Sequence, residues 1–122
     1  MKVVKLNEKH IQDLLNLVKD KYPVNEFVLK RLCTGEPILY PKTQVYGIYE
    51  NNEIVAMATA TFTYTFPDFT NAPHGKVVFI SAVHSKENMK QEDRDLYEST
   101  LIASIKQEAK DEFGADYTTV IY

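Results

Sequence analysis

Only one cysteine, Cys33, occurs in the 122 residues, so no disulfide can close within the chain and no zinc-finger spacing exists. Its expected place is that of a small apolar side chain on a helix face, not a reactive thiol. No apolar run approaches the length of a membrane span, and the N-terminal MKVVKLNEKH lacks a signal-peptide core. A cytoplasmic protein with no membrane partner is the default expectation. Basic residues are scattered, and with a formal net charge of −3 a nonspecific nucleic-acid binder is not expected. There is no internal repeat, no low-complexity tract and no cluster of metal ligands. Glycine is scarce as well: of four glycines, none lies between Gly75 and Gly114.

What is present suffices for one domain spanning residues 1–122. A chain of this length buries roughly two-thirds of the surface its unfolded form exposes, enough to fold without metal or disulfide. The most informative stretch is Lys76 to Phe113. Val77-Val78-Phe79-Ile80, continuing to Ala82-Val83, is an apolar β-branched run that predicts a strand buried on both faces, the expected centre of a sheet. From about Gln91 the period becomes helical. Tyr97, Leu101, Ile102, Ile105, Ala109 and Phe113 fall on one face, and Gly114 supplies a left-handed stop.

Before it, Lys2 to Leu6 reads as a short strand, and Asn7 is placed to cap a helix from Glu8 to Lys21. Leu6 and Ile11 stand at staple positions, with Ile11, Leu14, Leu15 and Val18 as the apolar stripe. Tyr22-Pro23 breaks that helix. Asn25 opens a second one, buried through Val28, Leu29, Leu32 and Cys33, and Gly35 ends it. Glu36 to Lys42, with Pro37 and Pro41, predicts an irregular loop whose Ile38, Leu39 and Tyr40 plug the core. Thr43 to Glu50 and Glu53 to about Phe66 form a hairpin through Asn51-Asn52. The second strand alternates Thr59, Thr61, Thr63 and Thr65 with Ala60, Phe62, Tyr64 and Phe66, the latter expected as a packing face. A turn-rich connection carrying His74 leads to Gly75. Asp116 to Tyr122 reads as the last strand, at which this chain stops.

The segment from Thr59 to Ala115, with TFTYTFPDFTNAPHGKVVFISAVHS, LYESTLI and EAKDEFGAD, resembles the GNAT superfamily of acyl-CoA-dependent N-acetyltransferases. Val83-His84-Ser85 stands where that family ends its central strand with Val-His-Pro or similar, and Leu101-Ile102 matches its paired apolar residues in the following helix. The resemblance implies an α/β (α+β) fold with a mixed central sheet, in the order β-α-α-β-β-β-α-β with helices on both faces. It also implies a truncated member, because the family continues through another helix and two strands that commonly carry the tyrosine protonating the leaving thiolate.

In the family, alternating glycines of the loop after the central strand let backbone amides meet the cofactor's pyrophosphate. Anchored on Leu101-Ile102, those positions hold Leu96 and Glu98; anchored on Gln91, they hold Arg94 and Leu96. Neither register has a glycine. The loop also carries Glu87, Glu92, Asp93, Asp95 and Glu98 against Lys86, Lys90 and Arg94. As plain helix-start chemistry, Glu92, Asp93 and Asp95 complement the positive end of the helix dipole. The expectation is a degenerate acetyl-CoA loop and a non-catalytic protein that acts by binding another macromolecule. The alternative is a minimal N-acetyltransferase using acetyl-CoA, with Ala82 and Val83 offering backbone groups to the pantetheine arm and Arg94, Asp95 and Leu96 meeting the pyrophosphate. No catalytic residue is assigned, and His84 is read as a strand-end residue before it is read as a base. Short length suits a phage or mobile-element protein. The last strand leaves an apolar edge, so Thr118, Val120 and Tyr122 are the expected interface for a protein partner or a homodimer.

Overall fold

The computed structural model describes residues 2–18, 42–65 and 75–121, with the side chains of Lys42, Tyr64 and Thr65 excepted. Five strands form one sheet in the order β1 (Lys2–Lys5), β2 (Lys42–Glu50), β3 (Glu53–Thr65), β4 (Gly75–Ser85) and β5 (Tyr117–Val120). The first four run antiparallel to their neighbours, whereas β4 and β5 are parallel, from Val77↔Tyr117 to Ile80↔Val120. That parallel pair is the signature of the strand–helix–strand unit read from Lys76 onward. The expected second helix, the Pro37–Pro41 loop, His74 and Tyr122 lie outside the described residues.

One expectation is corrected: the central strand is β3, not β4. Burial is continuous from Ile54 to Ala60, while Phe79 and Ser81 to Val83 of β4 are only half-buried. β3 can hold the middle because Ala56, Ala58 and Ala60 alternate beneath the long helix Gln91–Glu108, and small side chains let the helix approach the sheet. Leu101 and Ile105 from the helix lie on this alanine row together with Val78 and Ile80. The N-terminal helix Ile11–Val18 covers the opposite face, where Leu6, Ile11, Leu14 and Val18 meet Val45, Ile54 and Met57. Among the described residues, helices therefore cover both faces, and no helix is long and apolar enough to cross a membrane.

The ends of both helices show how local chemistry sets the frame. Asn7 accepts from the amide of Lys9, and its own N–H donates to Nδ1 of His10, so Glu8–His10 forms a 3₁₀ turn before the α-helix starts. Glutamine or glutamate is the usual partner in such a reciprocal cap, which is why His10 gave no signal in the sequence. At the other end, Ala109–Phe113 is a π-helical turn closed by Gly114 at φ 71°. Residues four apart drift by about 40° per step on an α-helix. The wider π turn returns Phe113 to the buried face, where its ring stacks on Phe62 with centroids 5.4 Å apart.

Gly47 marks the closest approach of the first strand pair to the N-terminal layer. A Cβ there would come within 3.1 Å of side-chain carbons of Leu6 and Ile54, both nearly fully buried. Gly47→Val is expected to cost about 1–3 kcal/mol by displacing Leu6 from beneath the N-terminal helix. Denaturant unfolding measures it, and an unchanged midpoint would show that this layer has slack.

Candidate functional site

The site begins with an extra residue in β4. Met57 pairs with His84 and Thr59 with Ser81, so the single Ala58 faces both Ala82 and Val83. This is a β-bulge, and it forces Ala82 to φ 51°, a left-handed conformation that costs a non-glycine residue about 1–2 kcal/mol. Thr59 holds the bulge in place. Its hydroxyl, nearly buried, donates to the carbonyl of Ser81 at 3.0 Å and lies 2.8 Å from the Ser81 hydroxyl.

The described pairing of β5 with β4 ends just before the bulge. Its last bond is from the amide of Ile121 to the carbonyl of Ile80, at 2.7 Å. β4 continues for five further residues, Ser81 to Ser85, with no β5 pairing among the described residues. Val83 packs toward the long helix and Ala82 toward the N-terminal helix, so the bulge reaches both layers.

β4 then leads through Lys86–Lys90 to the long helix. The amide of Lys86 donates to Val55, and Asn88 adopts φ 61°. Asparagine tolerates this left-handed geometry better than most residues, so Asn88 makes the turn for which a glycine is otherwise used. Lys90 is the N-cap and provides no side-chain cap. The amides of Asp93 and Arg94 are spent on the carbonyl of Lys90, while those of Gln91 and Glu92 belong to the first turn, which has no intrahelical acceptors. An uncapped helix start with a left-handed residue just before it is a backbone arrangement suited to an anion.

The residues singled out from the sequence are placed as follows. Ala82 and Val83 form the bulge itself. Arg94, Asp95 and Leu96 lie beyond the loop, inside the helix. Asp95 accepts from the Gln91 side chain at 2.8 Å, Leu96 is 51% exposed, and Arg94 is half-buried with its Nε buried and unpartnered among the described residues. Amides able to meet a phosphate are thus those of Gln91 and Glu92, earlier in the chain, with the Arg94 side chain one turn on. Glu92 and Asp93 occupy the first turn, as the dipole favours. Lys86 is ion-paired with Glu53 at the hairpin end, and Glu98 accepts from the Ser85 hydroxyl at 3.2 Å, tying the end of β4 to the helix. His84 is 4% exposed, a core position. Among the described residues no group of side chains could hold a metal ion.

A bulged strand running into an uncapped helix start is the backbone frame of the site. The chain has the GNAT acetyltransferase fold. No protein-family model and no curated protein matches the sequence. Solved structures do. A tetramutant of the BH1408 protein from Bacillus halodurans superposes with a TM-score of 0.75 at 16% identity, over 100% of this chain and 83% of that one. An aminoglycoside 6'-N-acetyltransferase from Acinetobacter haemolyticus gives 0.73 at 15% identity, covering 100% and 79%. A ribosomal-protein-alanine N-acetyltransferase from Brucella melitensis gives 0.70 at 9%, covering 100% and 80%. At these identities the likeness is one of fold.

The backbone of this site fits an acyl-CoA better than its side chains do. The stretch Ser81–Ser85, which has no β5 pairing among the described residues, suits a pantetheine arm, and the Asn88 turn with the uncapped helix start suits phosphates. The carboxylates of Glu87, Glu92 and Asp93 oppose a polyanion at that same place. Backbone amides are fixed in position, whereas exposed carboxylates are screened by salt.

Proposed function

We propose that the chain binds an acyl-CoA thioester along Ser81–Ser85 and acts as a small N-acyltransferase with an amine as acceptor. The observation that carries this reading is the left-handed Ala82. A strained residue in the middle of a strand persists only where surrounding structure holds it, and such strain concentrates at functional sites. Bound acetyl-CoA would supply an acyl group already activated as a thioester. Ala82 and Val83 would offer main-chain groups to the pantetheine arm and orient it along β4. Gln91 and Glu92 would present amides to the phosphates, with the Arg94 guanidinium as the nearby cation. His84 is too buried to serve as a base from its present position, so the deprotonated acceptor amine would attack the thioester carbonyl carbon directly, the amide C–N bond forming as the C–S bond breaks and CoA leaves as a thiolate protonated by solvent.

A second reading, a GNAT-fold protein that binds another macromolecule without turnover, draws support from the acids at the helix start and the absence of glycine there. Calorimetry with acetyl-CoA separates the two. Weak binding is expected, with Kd above about 100 μM. Neutralising the opposing charges in Glu92→Gln/Asp93→Asn is expected to tighten it roughly tenfold, most strongly at low salt. The same variant should lose about 0.5–2 kcal/mol of stability, because both acids complement the helix dipole. A low-micromolar Kd for the native chain would overturn the weak-binding expectation. No binding by either chain would overturn the acyl-CoA reading and leave the second.

A further inference from the structure

We infer that the outer edge of β5 is a self-complementary interface at which two copies of this chain pair antiparallel about Thr119, joining their sheets. The inference does not depend on acyl-CoA binding. It rests on which way the backbone of β5 points. Ile121 donates its N–H inward to Ile80 at 2.7 Å, so in this parallel pair the odd-numbered residues turn their N–H and C=O groups toward β4. Thr118 and Val120 turn theirs outward, and no strand among the described residues meets them.

The side chains add a second observation. Tyr117, Thr119 and Ile121 are exposed, and Tyr117 and Ile121 are two of the three large hydrophobics exposed among the described residues, at 43% and 51%. From Tyr117 to Ile121 there is no charge, no proline and no bulge, the devices by which native edges avoid pairing. The nearest charge, Asp116, is held within the chain, its carboxylate accepting from the amide of Lys76 at 2.9 Å.

A two-fold axis through Thr119 brings these features into register. Thr118 then lies opposite Val120 of the second copy, and these outward-facing residues exchange both N–H···O=C bonds. Tyr117 lies opposite Ile121 of the second copy in the non-hydrogen-bonded position, where side chains come closest. The exposed aromatic of each copy covers the exposed β-branched residue of the other, twice. On the opposite face Val120, already packed against the core beneath the long helix, extends that core across the axis. A copy of the same strand supplies both matches through one symmetric contact, which is the argument for a second copy as the occupant. Tyr122, the third residue read as interface from the sequence, lies outside the described residues.

Sedimentation velocity on the full 122-residue chain is expected to show a concentration-dependent dimer. Tyr117→Lys/Ile121→Lys puts like charges opposite each other and should weaken dimerisation by roughly tenfold or more. Tyr117→Lys/Ile121→Glu puts opposite charges in the same places and should restore it. Both variants change only exposed side chains, and circular dichroism checks that the fold is retained. A native chain that stays monomeric at high concentration, a Lys/Lys variant that dimerises like the native chain, or a Lys/Glu variant no better than Lys/Lys would each overturn the register. Pairing of the monomer with a different protein would show as the first of these outcomes.

Discussion

Deleting Ala82 is expected to abolish acyl-CoA binding while leaving the chain folded. Removing one residue from β4 erases the bulge and relieves the left-handed strain, which by itself favours folding by about 1–2 kcal/mol. The register beyond it is kept, because Ala58 then faces Val83 alone while Met57 still pairs with His84 and Thr59 with Ser81. His84 and Ser85, 4% and 3% exposed, therefore stay in the core, and the bond from Ser85 to Glu98 is retained. Ala82→Gly is the control, because glycine takes φ 51° without a Cβ penalty. It should keep the bulge, and binding with it, and stabilise the chain by about 0.5–1 kcal/mol. Calorimetry with acetyl-CoA, with thermal unfolding of both variants beside it, measures the contrast. A deletion variant that binds acetyl-CoA like the native chain would show that the bulge does not shape the site.

The second large effect is expected where β1 meets the end of the long helix. Tyr46 is 2% exposed and hydrogen-bonds Glu108, which is ion-paired with Lys5; Lys5 also reaches Glu112 at 3.2 Å. Glu108→Ala strands the Tyr46 hydroxyl in the core and is expected to cost about 1–3 kcal/mol. Tyr46→Phe should cost less, because Glu108 keeps Lys5 and some contact with water. Combining Tyr46→Phe with Glu108→Gln should recover part of the loss, since no buried hydroxyl is then left seeking a carboxylate.

The same cluster sets a pH window. Burial alone would raise the Glu108 carboxyl, but the hydrogen bonds from Lys5 and Tyr46 outweigh it and hold the group below its ordinary 4.5. Its contribution is present above 4.5 and is lost as pH falls through the depressed folded value. Burial, and then the hydrogen bond with Glu108, pushes the Tyr46 hydroxyl well above its usual 10.0. Lys5 is raised above 10.5, chiefly by Glu108. Those two contributions are complete below pH 10 and fade as pH rises above it. Stability should therefore be flat between about pH 5 and pH 10 as far as this cluster is concerned, and Glu108→Ala should flatten both flanks. Unchanged flanks in urea unfolding across that range would show that the cluster does not govern them.

Periodicity and turn chemistry along the chain were enough to set out the sheet and its two helical layers. Val77–Ile80 leading into the Leu101–Phe113 stripe implied a strand–helix–strand unit, and Asn51-Asn52, at φ 51° and 64°, makes the hairpin its residue types implied. Gly114 ends the long helix at φ 71° because a left-handed stop is local chemistry that glycine meets alone. What the tertiary structure decided depends on what stands opposite. Ala82 gives no sign of a left-handed conformation until Ala58 is seen facing two residues at once. The choice of β3 over β4 as the centre follows from a row of alanines that is unremarkable until a helix lies on it. Arg94, Asp95 and Leu96 align with the family's phosphate loop although the helical period reads from about Gln91, where the helix does start. The helix begins at Gln91 once Asn88 has made the turn, and a single asparagine among polar neighbours carries no such message in sequence. Local propensity is written residue by residue, whereas a bulge, a helix start without a side-chain cap and a Tyr–Glu–Lys cluster running from core to surface each exist only because distant segments fix both sides of a contact.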